Sequence, residues 1–221
     1  MPYIGGKSQA GVYQRIINLI PPHDVYIEPF LGGAAIMRLK KPARVSIGVD
    51  LAPSKLALRP GVTVVCGCGI EFLESYEWKG DEFVYADPPY LLSTRGGRRY
   101  YEHEMTDADH DRLLAVLKAL PCKVMLSGYP SRQYSDALTT WQIEDFSVMT
   151  RGHTWARECL WFNYPRPEKL HDLAYVGEND RERLRIKRKR ERWAARLAKM
   201  PPLERAALYS ALVDVMAGDR E

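Results

Sequence analysis

The chain has 221 residues, 46% of them hydrophobic, with a mean hydropathy of −0.34 and a formal net charge of +4. That length accommodates one well-cored α/β domain plus a smaller appendage, and the absence of any apolar window of about 18 residues predicts no membrane-spanning helix. Residues 1–7 lack the apolar core of a secretory leader, so a cytoplasmic protein with reduced, buried thiols at Cys66, Cys68, Cys122 and Cys159 is expected; Cys66-Gly67-Cys68 has the wrong spacing for a zinc knuckle, and no metal site is expected.

In chain order, Ser8 is positioned to cap a helix running to about residue 20, where Pro21-Pro22 stops it. Residues 25–28 read as a short buried strand, followed by the turn Pro29-Phe30-Leu31-Gly32-Gly33 and a helix start at Ala34. Residues 45–49 form a second strand ending at Asp50, residues 62–66 a third and residues 83–86 a fourth. Thr106-Asp107-Ala108-Asp109 opens a helix to Leu120, and residues 123–127 form a fifth strand. Residues 141–146 and 159–164 suit a closing antiparallel pair. Strands alternating with helices imply an α/β fold with a mostly parallel sheet flanked by helices. After Pro165-Arg166-Pro167 the composition changes, which divides the chain into domain 1–167 and a basic helical extension 168–221. In that extension a long helix is expected from Asn179 or Asp180 to about Met200, then a second from Leu203 to Met216.

The strand ends carry the chemistry. Asp87-Pro88-Pro89-Tyr90 follows the apolar run Phe83-Val84-Tyr85-Ala86. Two prolines forbid helix or ladder continuation, so Asp87 and Tyr90 stand on a stiff loop at the carboxyl end of a strand, where open α/β sheets bind ligands. Glu28-Pro29-Phe30-Leu31-Gly32-Gly33 is a turn whose glycines permit close approach of a ligand. It is not G-x-G-x-x-G, and it begins with an acid, which suits a cationic ligand better than a phosphate. Asp50 occupies the strand end where an acid commonly bonds ribose hydroxyls.

Tyr3-Ile4-Gly5-Gly6-Lys7, Glu28-Pro29-Phe30-Leu31-Gly32-Gly33, Asp50 and Asp87-Pro88-Pro89-Tyr90, in this order, resemble the Dam-like (D12 class) DNA adenine-N6 methyltransferases, small phage and prophage members above all. The resemblance spans about residues 1–165 and implies a Rossmann-like methyltransferase fold with S-adenosylmethionine as cofactor. It implies Tyr3, Gly6 and Lys7 as amino-terminal cofactor contacts, and Glu28, Pro29, Phe30 and Gly32 as the cofactor loop. Asp50 becomes the ribose-binding acid, and Glu71-Phe72 the pair against the cofactor's adenine; the acid of that pair is one methylene longer than the family's usual Asp. Asp87, Pro88 and Tyr90 become the catalytic residues. The Asp87 carboxylate and the Pro88 carbonyl would accept the two amine hydrogens of adenine, aiming its lone pair at the methyl group, while Tyr90 stacks on a base drawn out of the duplex.

Only 37 residues separate Asp50 from Asp87, too few for the recognition domain that Dam-like enzymes usually insert there. The arginines and aromatics just after the tetrapeptide are the expected replacement, with Arg95, Arg98, Arg99 and Tyr100 contacting DNA and recognition that is short or relaxed. A second basic loop spans residues 151–157. Residues 181–199 carry ten Lys/Arg and two acids, leaving the remainder at −4. This basic helix is expected to meet the DNA backbone through Lys187, Arg188 and Arg190, and the helical extension also suits homodimerisation. The alternatives are an RNA adenine-N6 methyltransferase and an inactive nucleic-acid-binding homologue. Cytosine-N4 methylation and nicotinamide chemistry fit the motifs less well. Restriction protection and modification of phage DNA are the expected purposes, by analogy.

Overall fold

The computed structural model describes residues 7–9, 11–53, 58–97, 99, 101–149 and 155–218. Seven strands form one sheet: β1 (Val25–Glu28), β2 (Val45–Asp50), β3 (Val62–Cys66), β4 (Glu82–Ala86), β5 (Lys123–Gly128), β6 (Gln142–Met149) and β7 (Trp155–Phe162). Their order is β3-β2-β1-β4-β5-β7-β6. The first five run parallel, and β7 is antiparallel to both β5 and β6. The expected α/β, Rossmann-like architecture is therefore present. The chain winds outward from β1 to β3 and then returns to place β4 beside β1. The loops leaving β1 and β4 diverge at that point, which opens the crevice in which such sheets hold ligands.

The helices are α1 (Val12–Ile17), α2 (Ala35–Leu39), α3 (Gly69–Ser75), α4 (Asp107–Ala119), α5 (Arg132–Ala137), α6 (Asp180–Ala198) and α7 (Pro202–Gly218). α1 packs on α2, while α3, α4 and α5 pack in series. Side chains alternate across each strand. Ile27, Val84, Ala86, Val124 and Leu126 join Ile70, Leu73, Leu113, Leu117 and Tyr134 in one buried cluster. Tyr26 and Phe83 are stacked at 6.2 Å in a separate aromatic group with His23 and Tyr164. By the same two-residue period, Glu28, Tyr85 and Asp87 fall on the Tyr26 and Phe83 side.

α1 is shorter than the Ser8-capped helix expected from sequence. It starts after Gly11, whose φ of 92° and N–H bond to the Gln14 side chain mark a helix boundary. α4 begins as expected, with Thr106 and Asp109 forming a reciprocal capping box. Two compact units divide at Leu173/Ala174 rather than at 167/168. Residues 168–173 stay with the sheet unit because the His171 N–H donates to Ile20 O and the Asp172 carboxylate accepts the Lys41 N–H. No helix among the described residues is long and apolar enough to cross a membrane. Cys122 and Cys159 are buried, but Cys66 is exposed because it closes β3 near the outer edge of the sheet.

Candidate active site

The Asp87 carboxylate is held through one oxygen. Lys7 Nζ donates to Oδ1 at 2.8 Å, and Ser127 Oγ donates to the same atom at 2.7 Å. Ser127 is the next-to-last residue of β5, the strand adjacent to β4, and its hydroxyl also lies 3.1 Å from the Tyr85 hydroxyl. Among the described residues nothing donates to Oδ2, and the Asp87 side chain remains 21% exposed. Pro88 behind it is buried.

Tyr90 departs from the expected stacking platform. It is 6% exposed, its hydroxyl accepts from Lys7 Nζ at 2.7 Å and donates to Glu158 Oε1 at 3.0 Å, and its ring meets Tyr129 edge-on at 4.7 Å. Burial, then the Asp87 and Glu158 carboxylates, hold its phenol well above the ordinary range. Lys7 also differs from the expectation of a cofactor contact. Its ammonium donates to Asp87 and Tyr90 and forms an ion pair with Glu158 at 3.2 Å, so protein groups hold it where it lines the cleft. Burial alone would lower its pKa, but the Asp87 and Glu158 carboxylates outweigh that and raise it well above the ordinary value.

Lys7, Glu28, Phe30, Gly32, Tyr85 and Asp87 line one cleft, with Leu31 and residues 33–36. Glu28 is buried and accepts the Tyr26 hydroxyl at 2.6 Å; burial pushes its carboxyl up to about 8, against the lowering pull of Tyr26 and Lys40. The turn after Glu28 has Gly32 at φ 47° and Ala34 at φ 51°, both in the left-handed region. Asp50 fixes this turn: Oδ2 accepts the Gly32 N–H at 2.7 Å and Oδ1 the Ala52 N–H at 3.0 Å. Pro29 lies against Gly69, where an added Cβ would come 2.0 Å from the Pro29 carbonyl oxygen. The first turn of α3 is thereby laid on the glycine turn. It carries Glu71, exposed, and Phe72, half-buried 5.5 Å from Tyr76.

The expected DNA-contacting residues divide. Arg95 is a correction: it is paired with Glu104, bonded to Tyr90 O at 2.7 Å and placed over the Tyr101 ring, with a side chain only 4% exposed. The acid nine residues downstream turns this arginine inward to pin the loop. Arg99 is exposed. Tyr3, Gly6, Arg98 and Tyr100 lie outside the described residues, as do residues 151–154 of the second basic loop.

On α6, Arg188 lies in a row with Arg181, Arg185 and Arg192, spaced i, i+4, i+7, i+11 along one face and lining a shallow groove with Leu184 and Glu191. Glu182, Arg183, Ile186 and Leu197 are half-buried on the opposite face. Lys187, which pairs with Glu191 at 4.0 Å, and Arg190 stand off that row.

Sequence reasoning missed Ser127, Glu158 and Gly69. Two of them had a signal: a hydroxyl closing the apolar run of β5, and a carboxylate directly before Cys159-Leu160-Trp161-Phe162 in a strand. Gly69 had none, because its constraint comes from a turn forty residues away.

Comparison with known proteins bears out the motif resemblance. The family model described as D12 class N6 adenine-specific DNA methyltransferase matches residues 50–155. Nothing among curated proteins matches the chain. The fold is similar to precorrin 8W decarboxylase from Methanobacterium thermoautotrophicum, with a TM-score of 0.50 at 12% identity over 73% of this chain and 94% of that one. Other matches are magnesium protoporphyrin IX methyltransferase from Synechocystis with bound SAM (0.41, 13%, 70% and 76%) and the 23S rRNA methyltransferase ErmE (0.44, 15%, 84% and 84%). The matched segment, just under half of the chain and holding both Asp50 and the Asp87 loop, is similar to that methyltransferase family, whose cofactor is S-adenosylmethionine.

Proposed function

We propose that this chain is a D12-class enzyme that methylates the N6 amino group of adenine in DNA. The observation that carries the reading is the Asp87 carboxylate beside the cleft of the glycine turn, its Oδ1 doubly held and its Oδ2 without a donor among the described residues. Adenine's amino nitrogen is a poor nucleophile, because its lone pair is delocalised into the ring. Asp87 Oδ2 accepting one N–H and the Pro88 carbonyl accepting the other would localise that pair and orient it. When bound, S-adenosylmethionine supplies an electrophilic methyl group on a sulfonium. The amine lone pair would form the new N–C bond as the S–C bonding pair remained on sulfur, and Asp87 or water would take the surplus N–H proton.

The residues present suit that cofactor. The Asp87 carboxylate in the cleft complements a cation, Glu28 with its carboxyl pushed up to about 8 stands beside it as a neutral hydrogen-bonding group, and Gly32 exposes backbone in a conformation that side chains disfavour. Asp50, already holding the Gly32 amide, would accept the ribose hydroxyls, and Glu71-Phe72 would meet the adenine end. Sequence-independent affinity for DNA would come from the α6 arginine row. α7 displays Leu203, Tyr209, Leu212, Val215 and Met216 to solvent, which suits self-association; light scattering that finds only monomer would remove that part of the reading.

The test is transfer of labelled methyl from S-adenosylmethionine to DNA and to RNA of equal length, with nucleoside analysis of the product. N6-methyladenine in DNA, and a loss of roughly 10²–10³-fold in kcat for Asp87→Ala, are expected. Label confined to RNA, or on cytosine, would overturn it.

A further inference from the structure

We propose that Glu158, on the antiparallel strand β7, is a positioning residue of the methyl-transfer site, acting through Lys7 and Tyr90 to fix which oxygen of Asp87 meets the substrate amine. This rests on the methyltransferase reading of the Asp87 loop, and it assigns a role to a residue outside the four motifs.

The geometry is a closed set of buried contacts. Lys7 Nζ reaches Asp87 Oδ1 at 2.8 Å, Tyr90 Oη at 2.7 Å and Glu158 Oε1 at 3.2 Å. Having accepted from an ammonium, which only donates, the Tyr90 hydroxyl must place its own proton elsewhere. It donates to Glu158 Oε1 at 3.0 Å. Glu158 thus fixes the direction of the hydroxyl proton and pairs with the Lys7 ammonium as its second carboxylate. Lys7 is left with one geometry toward Asp87. Side-chain exposures of 6% for both Lys7 and Glu158 leave little water to substitute for either partner.

The arrangement of charge points the same way. Lys7 Nζ lies 2.8 Å from an oxygen of Asp87 and 3.2 Å from one of Glu158, a cation set between two acids. Among the described residues Tyr85, Tyr90 and Ser127 touch this cluster, and Glu28, Tyr26, Tyr101 and Tyr134 lie within electrostatic reach of Asp87. Lys7 stays in register with Asp87 because Glu158 holds its other side.

Five proteins separate positioning from simple packing: wild type, Glu158→Gln, Glu158→Ala, Lys7→Met and the double variant with Glu158→Gln and Lys7→Met. Glu158→Gln keeps an acceptor oxygen and removes the charge. We expect kcat to fall about 10-fold with the cofactor KM little changed, and about 100-fold for Glu158→Ala. Lys7→Met should lower kcat by leaving Asp87 and Glu158 without the ammonium between them. Adding Glu158→Gln to Lys7→Met removes the uncompensated acid and should recover part of the rate, a non-additivity that a purely structural Glu158 would not give. Wild-type kcat in Glu158→Gln, or strictly multiplicative losses in the double variant, would overturn the assignment.

A readout independent of turnover is acylation of lysine amines followed by mass spectrometry. Lys7 should be protected in wild type and exposed by Glu158→Ala in protein that remains folded by circular dichroism. Lys7 labelled in wild type as fast as surface lysines would sink the latch whatever the enzyme's substrate. Protection of Lys7 without methyl transfer to any nucleic acid would count against the functional reading alone.

Discussion

A Cβ on Gly69 would stand 2.0 Å from the Pro29 carbonyl oxygen, and a backbone atom cannot step aside as a side-chain tip can. Gly69→Ala must therefore push α3 away from the glycine turn. The expected cost is about 2–3 kcal/mol, a fall in Tm of roughly 5–10 °C, with a weaker cofactor Kd from the displaced Phe30–Gly32 segment. An unchanged Tm would show that the two segments are not in contact. Glu28 gives the second residue-level prediction. Its folded pKa, about 8, lies above the ordinary value of 4.5, so the protonated form is the one folding favours. The contribution is complete below about pH 4.5 and is lost as pH rises through 8, at up to about 1.4 kcal/mol per pH unit. Glu28→Gln keeps an acceptor for the Tyr26 hydroxyl and removes the titration. The Tm of the variant relative to wild type should accordingly climb between pH 5 and pH 8; a constant difference would mean that Glu28 titrates normally.

Elements differ in how locally they are specified, and α4 is the local extreme. Thr106 Oγ1 accepts the Asp109 N–H at 3.2 Å while the Asp109 carboxylate accepts the Thr106 N–H at 2.8 Å. Thr106→Ala should cost about 1 kcal/mol in denaturant unfolding with no change in methyl transfer; a loss of activity at full stability would give the cap a functional role. The same local character explains what could be read in the sequence. β1, β4 and β5 are central and buried, so their apolar and aromatic runs are nearly continuous and bounded by charged or turn residues. α4 announces itself by its cap and apolar stripe. α3 and α5 span only seven and six residues and were not foreseen, because so short a segment shows hardly two helical turns of pattern. The site was legible where function forces an unusual local sequence, as at Asp87-Pro88-Pro89-Tyr90. It was illegible where the constraint is a partner far along the chain: Glu104 turning Arg95 inward, Glu158 binding Tyr90, and Asp87, Tyr90 and Glu158 holding Lys7.

At the scale of the whole molecule, the distribution of charge matters more than its sum of +4. Residues 181–199 concentrate cations while the rest of the chain is mildly acidic, so attraction for a polyanion is localised. A helix rises 1.5 Å per residue, which sets Arg181, Arg185, Arg188 and Arg192 about 4.5–6 Å apart along one face. On the proposed DNA reading, each phosphate they neutralised would release counterions and add about 0.9 to the slope of log Kd against log salt. In the full-length protein, Arg181→Gln with Arg192→Gln should lower that slope by about 1.8. Lys187→Gln with Arg190→Gln removes equal charge from positions off the row and should lower it by less than half as much. The two pairs must be compared on one duplex across a salt series, because either variant weakens binding at low salt by reducing net charge. Equal slopes for the two variants would mean that the helix acts as a diffuse cationic cloud and that its arginine row has no preferred face.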